Sequence, residues 1–318
     1  MLVSLIKGKG VTELTKSTTI RKKHDFTPLI MLAPATIIIA GIIVYPIINA
    51  VKMSFQYYVM SDYLNIHFIF FKNYIKAWSD PAFIISIGNS VRWILVTVIA
   101  QLLIGMVLAL LLNKEFRGRA VVRSICLIPW VTPGVVIALM WSWIYNGNFG
   151  VLNDLLMKMG FITKNIAWLA NSKTSLNAQI VAMIWQGIPF FTLMFLATMQ
   201  TIPADLYEVA DVSGANSWQK FRYITIPFLI PTILITSLLR IIWVGNNVDI
   251  IYLMTQGGPG FSSMTLSVYS YIEAQKSMNF GYGSTLAVYG TLFMVVLMVL
   301  YVRLLNKSGG GASSNVKN

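Results

Sequence analysis

Residues 203–222 read PADLYEVADVSGANSWQKFR and are followed by YITIPFLIP at 223–231. This is the longest polar interruption in the second half of a very apolar chain. The pattern predicts two short helices joined by a glycine. Pro203 suits the first turn of a helix, where its missing N–H costs nothing, and Ser217 can cap the second helix. Gly214 can adopt backbone angles that are closed to other residues, so it can turn the chain sharply between the helices.

The charges in this stretch agree with two helices. Asp205 and Glu208 lie near the start of the first helix and Lys220 lies towards the end of the second, where the helix dipole favours each sign. Ala210 and Gly214 are four residues apart and form a small face that another protein can approach closely. The alternative is an ordinary polar loop between two membrane helices.

The composition is that of a membrane protein. Of 318 residues, 56% are hydrophobic and only 11% are charged, and long apolar runs at such a composition indicate membrane helices. Fifteen of the 24 Lys and Arg residues lie in the N-terminal tail, around 114–123, in the central loop or at the C-terminus. This is every second loop, as the positive-inside rule predicts. Since no basic helix carries interleaved aromatic residues, nucleic acid is not an expected partner.

The sequence offers no set of residues for covalent chemistry. Cys126 is the single cysteine, and His24 and His67 lie far apart and outside any metal-ligand cluster. A Gly-x-x-x-x-Gly-Lys-Ser/Thr phosphate loop is missing, so we do not expect the chain to bind ATP itself. We therefore expect neither an enzyme nor a cofactor or metal held by this chain.

Six apolar segments are each long enough to cross a bilayer, which takes roughly 20 residues. They are predicted at 27–55, 84–112, 121–146, 177–200, 224–253 and 280–304. The predicted domains are a cytoplasmic N-terminal tail, a six-span membrane domain and a flexible C-terminal tail, at 1–26, 27–306 and 307–318. Because the number of spans is even, both termini lie on the same side of the membrane, and the distribution of Lys and Arg predicts that this side is the cytoplasm. Breaks are expected in the third span, at Pro129 and Pro133, and in the fourth, at Gly187 and Pro189, because proline weakens a helix.

The fifth predicted span is rich in polar and aromatic side chains: Arg240, Trp243, Asn246, Asn247, Asp249 and Tyr252. On one helix, Trp243 and Asn247 share a face, Asn246 and Asp249 form an adjoining stripe, and Arg240 is too far from Asp249 for a direct pair. Polar residues inside spans mark either helix packing or a transport pathway. In one interpretation the amides bond across helices, and in the other the amides and aromatic faces receive sugar hydroxyls and ring surfaces.

The loop also resembles a known family. Glu208-x-Ala210-x-x-x-Gly214-Ala215, followed by Phe221, Ile226-Pro227 and Pro231, is similar to the "EAA" loop of ABC-importer permeases. In this chain Val209 stands where the family usually has an alanine, and Ser213 stands where an aspartate is common. The resemblance implies that the loop forms coupling helices that dock on a cytoplasmic ATPase. The residues it assigns to coupling are Glu208, Ala210, Gly214, Ala215 and Phe221.

A second motif narrows the resemblance to one group of ABC-importer permeases. The run DIIYLMTQGGP at 249–259 is similar to a turn that recurs in carbohydrate-uptake permeases of the maltose and glycerol-phosphate type, and the likeness covers about 27–306. It implies a solute site on the third, fourth and fifth spans. The residues predicted to bind solute there are Trp130, Gln186, Gly187, Phe190, Trp243, Asn246, Asn247 and Tyr252. Gly134, Met183 and Val244 lack the polar side chains of the maltose type, so a different sugar is expected.

The resemblance thus implies an all-α membrane protein with six transmembrane helices, in the type I ABC-importer permease fold with cytoplasmic coupling helices. A short interfacial helix is expected in the first outer loop, 56–83. The expected location is the bacterial plasma (inner) membrane, in contact with lipid. The implied partners are a second homologous permease, two ATP-binding subunits that hold ATP and Mg, and an extracytoplasmic solute-binding protein. The expected cargo is a sugar or oligosaccharide.

Two alternatives remain open at this point. The solute is an anion, such as glycerol phosphate or an acidic oligosaccharide, if Arg240 faces the cavity. In the second alternative, which comes from another functional class, the chain is a membrane scaffold or receptor that transports nothing, with the central loop as a docking site.

Overall fold

The computed structural model describes residues 27–309 of the chain. The predicted N-terminal tail, 1–26, lies outside them, as does 310–318 of the predicted C-terminal tail. The α-helices of the described part are α1 Thr27–Ile39, α2 Tyr45–Ser54, α3 Lys72–Trp78, α4 Pro81–Asn113, α5 Arg119–Val131, α6 Gly134–Ile144, α7 Val151–Lys158, α8 Ser175–Met199, α9 Ala204–Val212, α10 Ser217–Lys220, α11 Ile226–Gly245, α12 Asp249–Thr255, α13 Leu266–Tyr271 and α14 Phe280–Gly309. A small antiparallel hairpin joins β1 Gln56–Tyr57 to β2 His67–Phe68.

Shorter helical segments complete the described chain. They are a 3₁₀ segment at Met60–Asn65 and π-helical turns at Ala40–Val44, Phe221–Thr225 and Ile272–Lys276. The described residues divide into two units between Asn49 and Ala50. The first unit carries α1 and the beginning of α2, and the packing and the sites described below concern the second unit. The expected short helix of the first outer loop is α3.

Within residues 27–309, five helical segments are long and apolar enough to cross a membrane, and a bent pair of helices makes a sixth candidate. The five are Met31–Ser54, Pro81–Asn113, Ser175–Met199, Ser217–Thr255 and Phe280–Arg303. The sixth combines α5 and α6, which meet at an angle of 96°. Thr132 before Pro133 is extended, as a residue preceding proline prefers, so α5 ends there. The predicted break of the third span is confirmed at Pro133, whereas Pro129 lies inside α5 and does not break it.

The predicted break of the fourth span is wrong. Helix α8 runs without interruption from Ser175 to Met199, with Pro189 inside it. Proline removes only one N–H donor, and α8 packs against α4 more extensively than any other pair of elements in the described chain. Tertiary packing therefore holds α8 together across its proline.

The predicted fifth span instead contains a break that the sequence analysis did not place. Helix α11 ends at Gly245 and α12 begins at Asp249. Asn246 Nδ2 donates to the carbonyl of Ile242 at 2.9 Å, and Asn247 Oδ1 accepts from the N–H of Ile250 at 3.4 Å. Asparagine amides compete with the helical backbone for hydrogen bonds, so they end one helix and begin the next. The predicted helical faces of Trp243 with Asn247, and of Asn246 with Asp249, are therefore wrong.

The core of the second unit lies between α4, α8 and α11. Gly105 permits a close approach of α4 to α8, because a Cβ atom placed there would lie 2.6 Å from Phe191 Cβ. Trp93 is buried and donates through Nε1 to the carbonyl of Val244 at 2.8 Å, which ties α4 to α11. These contacts set the positions of the three helices that carry most of the candidate solute site.

The carboxylate of Asp80 connects three helices. Asp80 Oδ1 accepts from the N–H of Ala82 at 2.9 Å and so caps α4. Its Oδ2 accepts from the hydroxyl groups of Tyr269 in α13, at 2.5 Å, and Tyr282 in α14, at 2.7 Å. Burial alone would raise the pKa of Asp80, but these hydrogen bonds stabilise the charged form and hold the pKa below its usual value.

We expect Asp80→Asn to lower the free energy of unfolding by about 2 kcal/mol at pH 7, because hydrogen bonds to a charged group are lost. Since the folded pKa is below the unfolded value of about 3.9, the contribution is complete above that value and is lost as pH falls through the folded pKa. Thermal unfolding in detergent at pH 7 and below pH 4 measures both effects. Asp154→Asn is the control, because its ion pair with Lys158 is exposed. Equal melting temperatures of the wild type and Asp80→Asn at pH 7 would contradict the prediction.

Candidate solute site and coupling loop

Three of the residues predicted to bind solute lie in one aromatic cluster. Trp130 of α5 and Phe190 of α8 stack with ring centroids 5.1 Å apart and planes 22° apart. Trp243 of α11 contacts both rings, at 5.3 Å from Phe190 and 5.9 Å from Trp130. Trp243 is 44% exposed, so the cluster presents an open aromatic surface. Three different helices thus contribute one ring each.

A buried guanidinium lies behind this cluster. Arg240 of α11 is only 3% exposed, and its Cζ lies 5.6 Å from the centroid of the Trp130 ring. Its Nε donates to Gln101 Oε1 at 2.9 Å, and Gln101 Nε2 in turn donates to the carbonyl of Met183 at 2.6 Å. A Cβ atom at Gly187 would collide with Gln101 Nε2 and Arg240 Nη2. Gly187, a predicted site residue, therefore makes the space in which these two side chains meet.

The sequence analysis did not identify Gln101 as a residue of this site. It lies in the middle of the long apolar helix α4 and is fully buried, and a lone glutamine at such a position was the available signal. Its partners come from α8 and α11, far away in the chain, so spacing within the second span alone does not identify them.

The other predicted solute residues lie elsewhere. Gln186 Oε1 is buried and has no hydrogen-bond partner in the described chain. Tyr252 packs edge-on against Tyr271, with centroids 5.0 Å apart. Asn247 Oδ1 accepts from the N–H of Ile250 in the first turn of α12. Asp249 lies beside the start of α6, because a Cβ atom at Gly134 would be 3.5 Å from Asp249 Oδ2.

Asn246 lines a separate cavity of about 330 Å³. The other residues on its wall belong to α13, α14, the π-helical turn between them and the break before α12: Val248, Leu266, Ser267, Ser270, Tyr271, Ala274, Gln275, Leu286, Ala287, Gly290 and Thr291. The aromatic cluster contributes no residue to this wall. Asn246 and Trp243, which the sequence analysis assigned to one site, therefore border different spaces.

The central loop has the predicted helix–glycine–helix form. Helices α9 and α10 are joined at Gly214, whose φ of +78° lies in the left-handed region that favours glycine. The predicted cap Ser217 is wrong by one residue, because Asn216 caps α10. Asn216 Oδ1 accepts from the N–H of Gln219 at 2.9 Å, and Gln219 Oε1 accepts from the N–H of Asn216 at 2.7 Å. This reciprocal pair satisfies two backbone donors, which a serine at 217 does not do.

The loop presents large apolar side chains outward. Val209, Val212, Trp218 and Tyr223 are 65%, 91%, 68% and 73% exposed. Of the residues predicted to couple to an ATPase, Glu208 and Gly214 are exposed, whereas Ala210, Ala215 and Phe221 are half-buried. Phe221 packs against Trp218, with centroids 5.6 Å apart. Exposed apolar side chains grouped on one loop indicate a surface that binds another protein.

An ion pair links the two helices of the loop. Lys220 Nζ lies 2.5 Å from Asp211 Oδ1, so the end of α10 is tied to the last turns of α9. Together with the glycine turn, this pair fixes the angle between the two helices. Within residues 27–309, no group of three His, Cys, Asp or Glu side chains is arranged to hold a metal ion.

The fold, the aromatic cluster and the central loop define a class of protein: a membrane subunit with several apolar helices, an aromatic and polar cluster between them, and a loop that exposes apolar side chains. The chain belongs to the family of binding-protein-dependent transport system inner membrane components, whose model matches residues 101–308. It is therefore a permease subunit of an ABC transporter and not an enzyme.

Two relatives show how far the similarity extends. The sulfoquinovosyl glycerol transport system permease SmoG of Agrobacterium fabrum is 37% identical over 277 residues, which cover 87% of this chain and 89% of the relative. The trehalose/maltose transport system permease MalF of Thermococcus litoralis is 33% identical over 236 residues, covering 74% and 79%.

A solved structure confirms the architecture. A chain of a bacterial ABC transporter that imports the acidic polysaccharide alginate matches with a TM-score of 0.76 at 22% identity, over 90% of this chain and 96% of that one. At this identity the match concerns the fold alone. The predicted all-α, six-span, type I ABC-importer permease fold is confirmed.

Proposed function

We propose that this chain forms half of the translocation path of an ATP-driven importer that carries a sugar or oligosaccharide delivered by a solute-binding protein. The relatives named above transport glycosides or disaccharides, and the family depends on binding proteins. Aromatic rings offer flat apolar faces to sugar rings, and Trp130, Phe190 and Trp243 present such a surface. The unpaired Gln186 Oε1 is an acceptor for a sugar hydroxyl.

The observation that carries this proposal is the direct connection between loop and site. The helical stretch that begins at Ser217 in the exposed loop continues through the π-helical turn and α11 to Gly245, and it contains both Arg240 and Trp243. A partner that pushes on Trp218 therefore acts on the same segment that holds the solute site. ATP-driven closure of the partner then tilts this segment and alternates access to the site between the two sides of the membrane.

The other subunits of the importer follow from this mechanism. A second homologous permease completes the path, and two ATP-binding subunits, which hold ATP and Mg, dock on the loop at residues 203–222. The permease lies in the bacterial inner membrane with both termini in the cytoplasm. The cationic residues around 114–123 support this orientation, because the predicted topology has them on the same side of the membrane as the coupling loop.

Co-purification of the full chain from gently solubilised membranes tests the proposal. We expect an ATPase that contains a phosphate loop and a second six-span permease to accompany it, and an unrelated membrane protein carrying the same tag serves as control. A chain that purifies alone, from cells that show no ATP-dependent carbohydrate uptake requiring it, would instead support a scaffold that transports nothing.

A further inference from the structure

We infer that the solute is an anionic carbohydrate, bearing a carboxylate or sulfonate group that the guanidinium of Arg240 binds during transport. This inference rests on the proposed function, because it names the charge of the cargo at the site described above. It depends on three observations made in the described chain. Arg240 has no carboxylate partner, its Nη2 donor has no acceptor, and the Trp130 ring lies over its guanidinium.

Arg240 is a buried cation that has no carboxylate partner among residues 27–309. The ion pairs in the described chain join Lys158 to Asp154 and Lys220 to Asp211, and neither involves Arg240. Asp249, the nearest carboxylate along the sequence, lies beyond the helix break and next to Gly134 instead. A charged side chain inside a membrane span is costly, and such residues are retained where they pair or line an ion pathway.

The guanidinium also has an unused donor. Its Nε is bonded to Gln101, but Nη2 is buried and has no hydrogen-bond partner in the described chain. Leaving a charged donor unpaired costs more than leaving a neutral one. Gly187 keeps the space beside Nη2 free of a side chain, since a Cβ atom there would collide with it. The arrangement holds the guanidinium in place through Nε and leaves Nη2 for another acceptor.

The ring that covers Arg240 belongs to Trp130, which lies next to the bend between α5 and α6. The Trp130 ring lies 5.6 Å from the guanidinium and belongs to the predicted solute surface. Trp130 is also the second-last residue of α5, immediately before the 96° bend into α6. A change at this bend moves the ring off the cation, and a solute that stacks on the aromatic cluster then brings its acidic group to Nη2. Gly187 lies at the middle of α8, and a Cβ atom there would collide with Arg240 Nη2, so the guanidinium lies at the mid-depth at which transporters bind solutes.

The test uses the complete importer in liposomes and measures solute-stimulated ATP hydrolysis. The probes are two matched pairs: trigalacturonate with its trimethyl ester, and sulfoquinovosyl glycerol with glucosyl glycerol. In each pair the second member lacks the charge and keeps the sugar skeleton. We expect at least one acidic probe to stimulate hydrolysis and its neutral partner to be about tenfold or more weaker.

Variants then assign this preference to Arg240 and not to the binding protein. Arg240→Gln is expected to raise the half-maximal concentration of the acidic probe about tenfold to hundredfold, as loss of a charged hydrogen bond requires. Arg92→Gln is the matched control, because Arg92 is an exposed residue of α4 outside the site. Arg240→Lys keeps the charge but loses the fork, so it should show a smaller increase and replaces the Gln variant if that one does not accumulate.

The outcomes separate the two proposals. Equal stimulation by acidic and neutral probes, stimulation by neutral probes only, or an unchanged response of both Arg240 variants to the acidic probe would overturn the inference and leave a carbohydrate importer. If neither acidic nor neutral carbohydrate stimulated hydrolysis, the proposed function would fall, and the inference with it.

Discussion

Replacing Trp218 by aspartate is expected to reduce ATP-driven uptake about thirtyfold or more while the chain remains in the membrane. Trp218 is 68% exposed beside Phe221 at the tip of the loop, and buried tryptophans in protein interfaces commonly contribute about 2 kcal/mol or more. A carboxylate in its place would have to be buried without a partner when an ATPase docks. Because the side chain is exposed in the permease itself, the substitution should leave folding unchanged.

The measurement is uptake into cells that express equal amounts of each variant in the membrane, with the ATPase recovered by co-purification as a second readout. Phe161→Asp is the matched control, since Phe161 is 74% exposed and lies between α7 and α8. It precedes the predicted fourth span, whereas the loop follows that span, so the two lie at opposite ends of it. Normal uptake and normal ATPase recovery by the Trp218 variant would show that this loop is not the docking surface.

The second large effect is expected on stability. Gly105→Leu should lower the free energy of unfolding by about 3 kcal/mol, because its side chain must enter the contact between α4 and α8. A Cβ atom at this position already comes within 2.6 Å of Phe191 Cβ and 3.2 Å of the backbone nitrogen of Thr192. Neither atom is the end of a flexible side chain, so the helices must separate to admit the leucine.

Gly88→Leu in the same helix provides the comparison, because nothing lies within 4 Å of a Cβ atom there. Thermal unfolding of both variants in detergent, together with the yield of monodisperse protein, measures the difference. If the two leucine variants melt at the same temperature, the close packing of α4 on α8 is not a determinant of stability.

The sequence predicted those features that depend on local chemistry. The six spans followed from apolar length, the bend after Thr132 from Pro133, and the loop from Gly214. Each of these signals acts within a few residues of where it is read, so a single sequence is sufficient to locate it.

Features that depend on long-range packing were missed or misplaced. Pro189 did not break α8, because its neighbour α4 supports it along its length. The break at 246–248 was missed because asparagine ends a helix only where the surrounding chain allows the turn. Gln101 was missed as the partner of Arg240 because 139 positions separate them in the chain. The binding roles of the predicted solute and coupling residues stay predictions, which the experiments above address.

The two helix breaks also define how deep water penetrates. Lipid cannot satisfy the backbone groups that are freed where a helix is interrupted, so such groups must border protein or solvent. The residues that follow the two breaks, Gly134 and Asp249, lie next to each other. Asp249 is an exposed carboxylate, and its charge needs hydration if no cation neutralises it. We therefore expect water to reach both breaks, which directly follow the helices that carry Trp130 and Trp243 of the aromatic cluster.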